Sequence, residues 1–168
     1  NIVILKNSNK ILPLKRLDTL KIASLNLCKN STDYFENIVD YYCPSKHYYF
    51  NTFSSKKVMK VMKKELDSFN VILITADNID DRIADFLSTF EGKQKIILSL
   101  FGQNELPQYT SFSSNIDAFL YSFNNNRKSI EISSQLIFGG FTINNKLSKP
   151  LNKDLKEGLG ESLEKIRL

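Results

Sequence analysis

The chain has 168 residues, 42% hydrophobic and 24% charged, with 23 Lys+Arg against 18 Asp+Glu and a formal net charge of +5. Those values exclude disordered, collagen-like and disulfide-scaffold proteins and fit one globular domain with a substantial core. No run approaches the roughly 18 apolar residues of a membrane span, and the basic pairs Lys56-Lys57 and Lys63-Lys64 sit at helical spacing without interleaved aromatics, as a solvated face and not a nucleic-acid surface.

In chain order, Ile2 to Leu5 is a short apolar strand, followed by the polar loop Lys6-Asn7-Ser8-Asn9-Lys10. Ile11-Leu12-Pro13-Leu14 is apolar but carries a proline, so it reads as a packed connector or edge segment. Ile22 to Cys28 is the next strand, and Ser31 or Thr32 is placed to cap the helix behind it. From Asp33, the residues Tyr34, Phe35, Ile38, Val39 and Tyr42 recur at helical spacing, and Pro44 stops the run. Lys46 to Phe50 is a short aromatic strand around His47, the single histidine, which reads as structural. Ser54 or Ser55 caps a helix whose apolar face is Val58, Met59, Met62, Leu66 and Phe69.

Val71 to Ala76 is a buried strand. Ile79, Ile83, Phe86, Leu87 and Phe90 mark a helix closed at Gly92. Ile96 to Phe101 is an unbroken apolar strand apart from Ser99, punctuated by Gly102, and Leu106-Pro107 begins a short irregular or helical stretch. Ala118 to Phe123 is a further buried strand; Ile130, Ile132, Leu136 and Ile137 lie on a helix stopped at Gly139-Gly140. The tail, 141–168, reads as extended and polar with one exit strand, Phe141-Thr142-Ile143, in the same domain as the 1–140 core. Alternation at this pitch predicts an α/β fold: βαβ units, a mostly parallel sheet of about five or six strands, and helices on both faces in a three-layer αβα sandwich.

Ligands of open α/β sheets gather beyond the carboxyl ends of the strands. That geometry nominates Lys29, Asn30, Asp77, Asn78, Gln103, Asn104, Glu105 and Asn124 as substrate-facing or interdomain residues. They are mostly amides and carboxylates, suited to sugar hydroxyls, and equally suited to capping helices and satisfying loop backbone. Asp77, Asp80 and Asp81 cluster at a helix start, where the helix dipole accounts for them. No phosphate loop, no nucleophile elbow and no metal-ligand spacing is present, so no catalytic residue, metal or cofactor is expected. Cys28 and Cys43 make no disulfide framework, and Cys28 reads as a small buried residue. A chain that opens in mid-strand, without an initiator Met, is expected to be a segment of a longer polypeptide.

Three segments together resemble the second, α/β sandwich domain of glycoside hydrolase family 3. They are Ile2-Val3-Ile4-Leu5-Lys6-Asn7 followed by Ile11-Leu12-Pro13-Leu14; Gln135-Leu136-Ile137-Phe138-Gly139-Gly140; and a tail of Asn145-Lys146-Leu147-Ser148, Leu155-Lys156-Glu157-Gly158-Leu159-Gly160 and Lys165-Ile166-Arg167-Leu168. The tail is most similar to that of bacterial β-N-acetylhexosaminidase-like members; Asn145 and Ser148 depart from it, standing where the family has glycine and proline. The resemblance implies a flavodoxin-like sandwich beside an upstream (β/α)8 barrel of the same polypeptide, which holds the nucleophilic aspartate. It implies glycan substrates and, for bacterial members, export to the periplasm or surface. The β-glucosidase-like branch takes its acid/base glutamate from a long loop of the second domain. The loop that corresponds here, Asp77-Asn78-Ile79-Asp80-Asp81, is short and has no glutamate, which favours the hexosaminidase branch, whose proton donor comes from the barrel. An accessory domain is thus expected. The alternatives are a β-glucosidase-type half-site with Glu105 as proton donor, and a free-standing flavodoxin-like sugar or nucleotide binder.

Overall fold

A computed structural model describes residues 1–30, 32–50, 55–107 and 113–168. Ser31, Ser54 and the stretch behind Pro107 lie outside these, so the capping expected of the two serines is not described. Six strands form one sheet: β1 (Ile2–Asn7), β2 (Ile22–Asn26), β3 (Lys46–Tyr49), β4 (Val71–Ala76), β5 (Lys95–Phe101) and β6 (Ala118–Ser122). Four helices accompany them: α1 (Asp33–Tyr42), α2 (Lys56–Leu66), α3 (Asp81–Ser88) and α4 (Arg127–Ile137). The sheet order is β1-β6-β5-β4-β2-β3, with β2 to β6 parallel and β1 antiparallel to β6. Counted among themselves, the parallel strands run 2-1-3-4-5, the flavodoxin-like doubly wound order. The expected α/β three-layer sandwich is therefore what the chain forms.

Strand alternation divides the core in two. Leu25, Ile72, Ile74, Leu98, Phe119 and their neighbours face α2 and α3, while Ile22, Leu73, Ile97, Leu120 and theirs face α1 and α4. Both faces are covered, so β4 and β6 are buried from end to end and β5 from its second residue. Helix starts follow side-chain chemistry: Asp80 accepts from the Ile83 N–H at 2.9 Å, Asn126 from Ser129 at 2.9 Å, and Ser55 from Val58 at 3.4 Å. Thr32 sits at the start of α1 without capping it; its hydroxyl turns to Glu36 instead, at 3.3 Å.

Several expectations shift. β1 runs two residues further than its apolar core, through Lys6 and Asn7, because a sheet edge tolerates polar side chains. β2 ends at Asn26 and β6 at Ser122, and Phe69 and Phe90 fall beyond their helices. Val58 is 47% exposed and outside the apolar face assigned to it, as is Tyr34 at 39%. The tail departs most. Phe141-Thr142-Ile143 forms no strand; Ile143 makes only an isolated bridge to Leu163. Nor is the tail merely polar, because Leu147, Leu151, Leu155 and Leu163 are each 3% exposed or less. The first three extend the α2/α3 core and the last joins the α1/α4 core.

Tail and N-terminal segment interlock through backbone bonds. Glu161 bonds Ile4 across the free edge of β1 (2.8 Å), and the Asn145 amide donates to the Ile2 carbonyl (3.0 Å). Ile166 and Arg167 N–H groups both donate to the Gly139 carbonyl, while the Arg167 guanidinium donates to the carbonyls of Leu14 and Phe138. Gly139 has φ +79°, and a Cβ there would run into Ile166 and Pro13. Two costs, the left-handed backbone and the collision, act at one residue. Gly139→Ala is expected to lower stability by about 1–3 kcal/mol in chemical denaturation; an unchanged midpoint would show that the tail does not dock here.

Candidate functional site

The parallel strand order reverses between β2 and β4, which makes their carboxyl ends the place to seek a ligand. Internal hydrogen bonds engage several of the side chains described there. Asn26 Oδ1 accepts from the Cys28 N–H (2.7 Å) and the Thr75 hydroxyl (3.4 Å). Asp77 Oδ2 accepts from the Lys29 N–H at 2.9 Å, tying the loop after β2 to the end of β4. The half-buried Cys28 thiol lies between them, and burial, with the Asp77 carboxylate adding to it, pushes it up to about 12. A thiol so placed stays protonated and is no nucleophile at neutral pH.

Gln103 is equally committed. Its Oε1 accepts from the Ile79 N–H (2.7 Å) and its Nε2 donates to the Ile79 carbonyl (3.0 Å), a two-point clamp between the β4 and β5 loops. The Tyr121 hydroxyl donates to the Gln103 carbonyl at 2.5 Å, and burial raises that phenol to about 12. Asn124 closes on Ser122: its N–H donates to the Ser122 hydroxyl (3.1 Å), which donates to its carbonyl (2.9 Å). The structure thus brings Asp77 to Lys29 and Gln103 to Ile79, all as loop fasteners. Asn30, Asn78, Asn104 and Glu105 are exposed at the same end of the sheet. Asn104 borders a cleft of about 360 Å³ whose other lining residues are Phe123, Ser148, Lys149 and Pro150, without a carboxylate. Retaining hydrolysis by this end of the domain would need two facing carboxyl groups, and this cleft has none.

His47 completes a Ser-His-Asp chain that the sequence spacing conceals. Its Nδ1 meets the Ser24 hydroxyl at 2.5 Å and its Nε2 meets Asp40 Oδ1 at 2.8 Å. Ser24 is 3% exposed in the middle of β2, so no substrate carbonyl reaches it. The chain fastens β2, β3 and α1 together, as Glu36 does by accepting from the Tyr49 hydroxyl at 2.5 Å. Tyr49 is raised to about 12, first by that hydrogen bond and then by burial. His47 is structural, as its setting in the sequence implies. Asn26, Thr75 and Ser99 lie side by side across β2, β4 and β5 on the α1/α4 face. Among the described residues, the Ser99 hydroxyl is the buried side-chain polar atom without a partner. No group of three or more His, Cys, Asp or Glu able to hold a metal occurs among the described residues.

The class defined by this architecture is a flavodoxin-like αβα sandwich with an added antiparallel edge strand. No protein-family model and no curated protein matches the sequence. In structure the chain is similar to a glycoside hydrolase family 3 β-N-acetylglucosaminidase from Paenibacillus sp. (TM-score 0.69, 7% identity, over 84% of this chain and 29% of that one). It is also similar to a fungal multi-domain β-N-acetylglucosaminidase of family 3 (0.63, 14%, over 82% and 16%) and to a family 3 exo-β-xylosidase (0.67, 14%, over 89% and 24%). At these identities the likeness is one of fold. The chain spans less than a third of each of these neighbours, and no helix among the described residues is long and apolar enough to cross a membrane.

Two measurements check the closed reading of this end. With Cys43, the other free cysteine, replaced by Ala, Cys28 is expected to react with a disulfide reagent at pH 8 about 1,000-fold more slowly than a free thiol, given its raised pKa; a fast thiol in that folded variant would contradict it. Ser99→Ala removes a buried hydroxyl that has no partner and is expected to leave stability unchanged or raise it by about 1 kcal/mol. A clear loss would mean the hydroxyl is bonded in solution.

Proposed function

We propose that this chain is the α/β sandwich domain of a family 3 glycoside hydrolase of the β-N-acetylhexosaminidase-like branch, and that it is not itself the catalyst. A (β/α)8 barrel earlier in the same polypeptide would cleave terminal N-acetylhexosamine glycosides, with this domain shaping and steadying the active-site side. The observation that carries the proposal is the coincidence of an 84% overlap in fold with under a third of a β-N-acetylglucosaminidase and the segments Ile2–Asn7, Gln135–Gly140 and Lys165–Leu168 that resemble the family. Those segments are the ones that interlock: β1 with the tail, Gly139 with Ile166 and Arg167. The site chemistry agrees, because Asp77 and Gln103 spend their polar atoms on backbone. Any contact with a sugar would fall to Asn30, Asn78, Asn104 or Glu105, and export to the periplasm or surface belongs to the same proposal.

The likeness to an exo-β-xylosidase, at a TM-score within 0.02 of the first neighbour, supports a second reading. There the domain would lend Glu105, exposed after β5, as acid/base to a β-glucosidase-type site. Assaying 4-nitrophenyl N-acetyl-β-D-glucosaminide separates the readings. The whole polypeptide is expected to turn over, this chain alone is not, and Glu105→Gln in the whole polypeptide is expected to change kcat less than about 2-fold. Turnover by this chain alone would overturn the accessory role. A fall of about 100-fold or more in Glu105→Gln, the scale of a lost general acid, would establish the second reading over the first.

A further inference from the structure

Helix α2 departs from the rules that make a surface helix comfortable. Its first turn holds Lys56 and Lys57 and no acidic residue, although the dipole favours Asp and Glu there, as α1 and α3 have. Helix α4 also begins with basic residues, but its Arg127 is paired to Glu131 at 2.7 Å. Within α2, Lys56–Lys60 and Lys60–Lys64 are like-charge pairs at i,i+4, each unfavourable by about 0.2–0.5 kcal/mol. The helix holds five of the chain's 23 Lys+Arg and one of its 18 Asp+Glu, so four of the five units of net charge sit on it. Lys63 turns inward to the Thr89 carbonyl, over the Phe90 ring. Lys57, Lys60 and Lys64 are exposed and share one ridge at i, i+3 and i+7.

The ridge leads into a cleft of about 690 Å³, to which Lys60, Lys63 and Lys64 contribute together with Lys21 and Lys93. The amides of this cleft are already used: Asn70 accepts from the Lys21 N–H, and Gln94 donates to the carbonyls of Leu66 and Phe69. Of its two carboxylates, Asp67 and Glu91, the latter pairs with Lys93 at 3.6 Å. What the cleft has left to offer a ligand is the ammonium charge of Lys60 and Lys64, set against the single carboxylate of Asp67. Repulsion that folding leaves unrelieved marks a place where an anion stabilises the protein.

We propose that the α2 ridge and the adjoining cleft bind an anionic polysaccharide, carrying carboxylate or sulfate groups along its chain. The choice of a glycan rests on the function proposed above; the choice of an anion rests on the lysines alone. Nucleic acid fits less well, because among the described residues the exposed aromatic ones, Tyr34, Tyr41, Tyr49 and Phe141, lie on α1, β3 and the tail and not on α2 or α3. A bilayer fits less well too: the exposed apolar residues of α2 are only Val58 and Val61, and the lysines run in a line into a cleft instead of spreading over a plane.

Calorimetric titration with hyaluronate, heparin, a neutral chitin oligosaccharide, single-stranded DNA and phosphatidylglycerol vesicles, at low and high salt, tests this. Hyaluronate or heparin is expected to bind and to weaken with salt. Lys57→Gln, Lys60→Gln and Lys64→Gln together are expected to weaken it by about 10-fold or more, the scale of three exposed charge contacts. The same change at Lys149, Lys153 and Lys156 lowers net charge equally and is expected to cost under about 2-fold. The ridge variant should melt no lower than the parent, since it removes repulsion. No binding to either acidic glycan, equal loss from both triple variants, equal affinity for the neutral oligosaccharide, or tighter binding of DNA or vesicles would each overturn the proposal. Failure here with N-acetylglucosaminide turnover by the whole polypeptide intact sinks the ridge alone; acidic-glycan binding without that turnover sinks the hydrolase reading alone.

Discussion

Burial of the sheet on both faces is the constraint from which the rest follows. β4, β5 and β6 present apolar side chains above and below and cannot meet water on either side. Two helix pairs supply most of the cover, α1 with α4 and α2 with α3. They do not supply all of it. Leu147, Leu151 and Leu155 extend the α2/α3 core, while Glu161 and Asn145 satisfy the free edge of β1. An edge strand left open would be a template for another chain, so the tail completes the sheet sideways as well as from above.

The same constraint explains why several of the side chains described at the carboxyl end of the sheet are bonded within it. Loops leaving a fully buried sheet carry backbone N–H and C=O groups that need partners at once. Asn26, Asp77, Gln103 and Ser122 answer that need within a few residues of each strand end. Side chains spent in this way are not available to bind sugars, and the thiol beneath them stays protonated. Asp77 and Gln103 thus turn to backbone at the carboxyl end of the sheet, whereas on α2 Lys57, Lys60 and Lys64 are exposed with no acidic partner among the described residues.

Much of the fold was legible because parallel, doubly covered strands write themselves as unbroken apolar runs: Val71 to Ala76 and Ile96 to Phe101 need no context to be read. The direction of β1 was not legible. Ile2 to Leu5 looks like any other buried strand, and only the pairing of Ile2 with Ser122 reveals that it runs against its neighbour. The buried tail left a fainter signal, three leucines spaced by four at Leu147, Leu151 and Leu155, diluted by lysines and asparagines until the segment read as polar. For the site, sequence named the right loops but not the allegiance of their side chains. Whether Gln103 faces a ligand or the Ile79 backbone depends on which groups arrive within about 3 Å, and that is a property of the assembled loops. Val58 shows the converse: helical periodicity put it on the apolar face, yet α2 tilts its Met59, Met62 and Leu66 side inward and leaves Val58 outside.

The bond between Ile4 and Glu161 joins residues from opposite ends of the chain. On a ribosome adding roughly 5–20 residues per second, the first strand exists for about 8–30 s before its outer partner has been synthesised. β1 gains its place in the sheet only when β6 arrives, and until the tail follows, its outer edge is bare and the α2/α3 core lacks Leu147, Leu151 and Leu155. Whatever guards a growing polypeptide against sticking to its neighbours has this window to cover, and it shuts when Glu161 has left the exit tunnel.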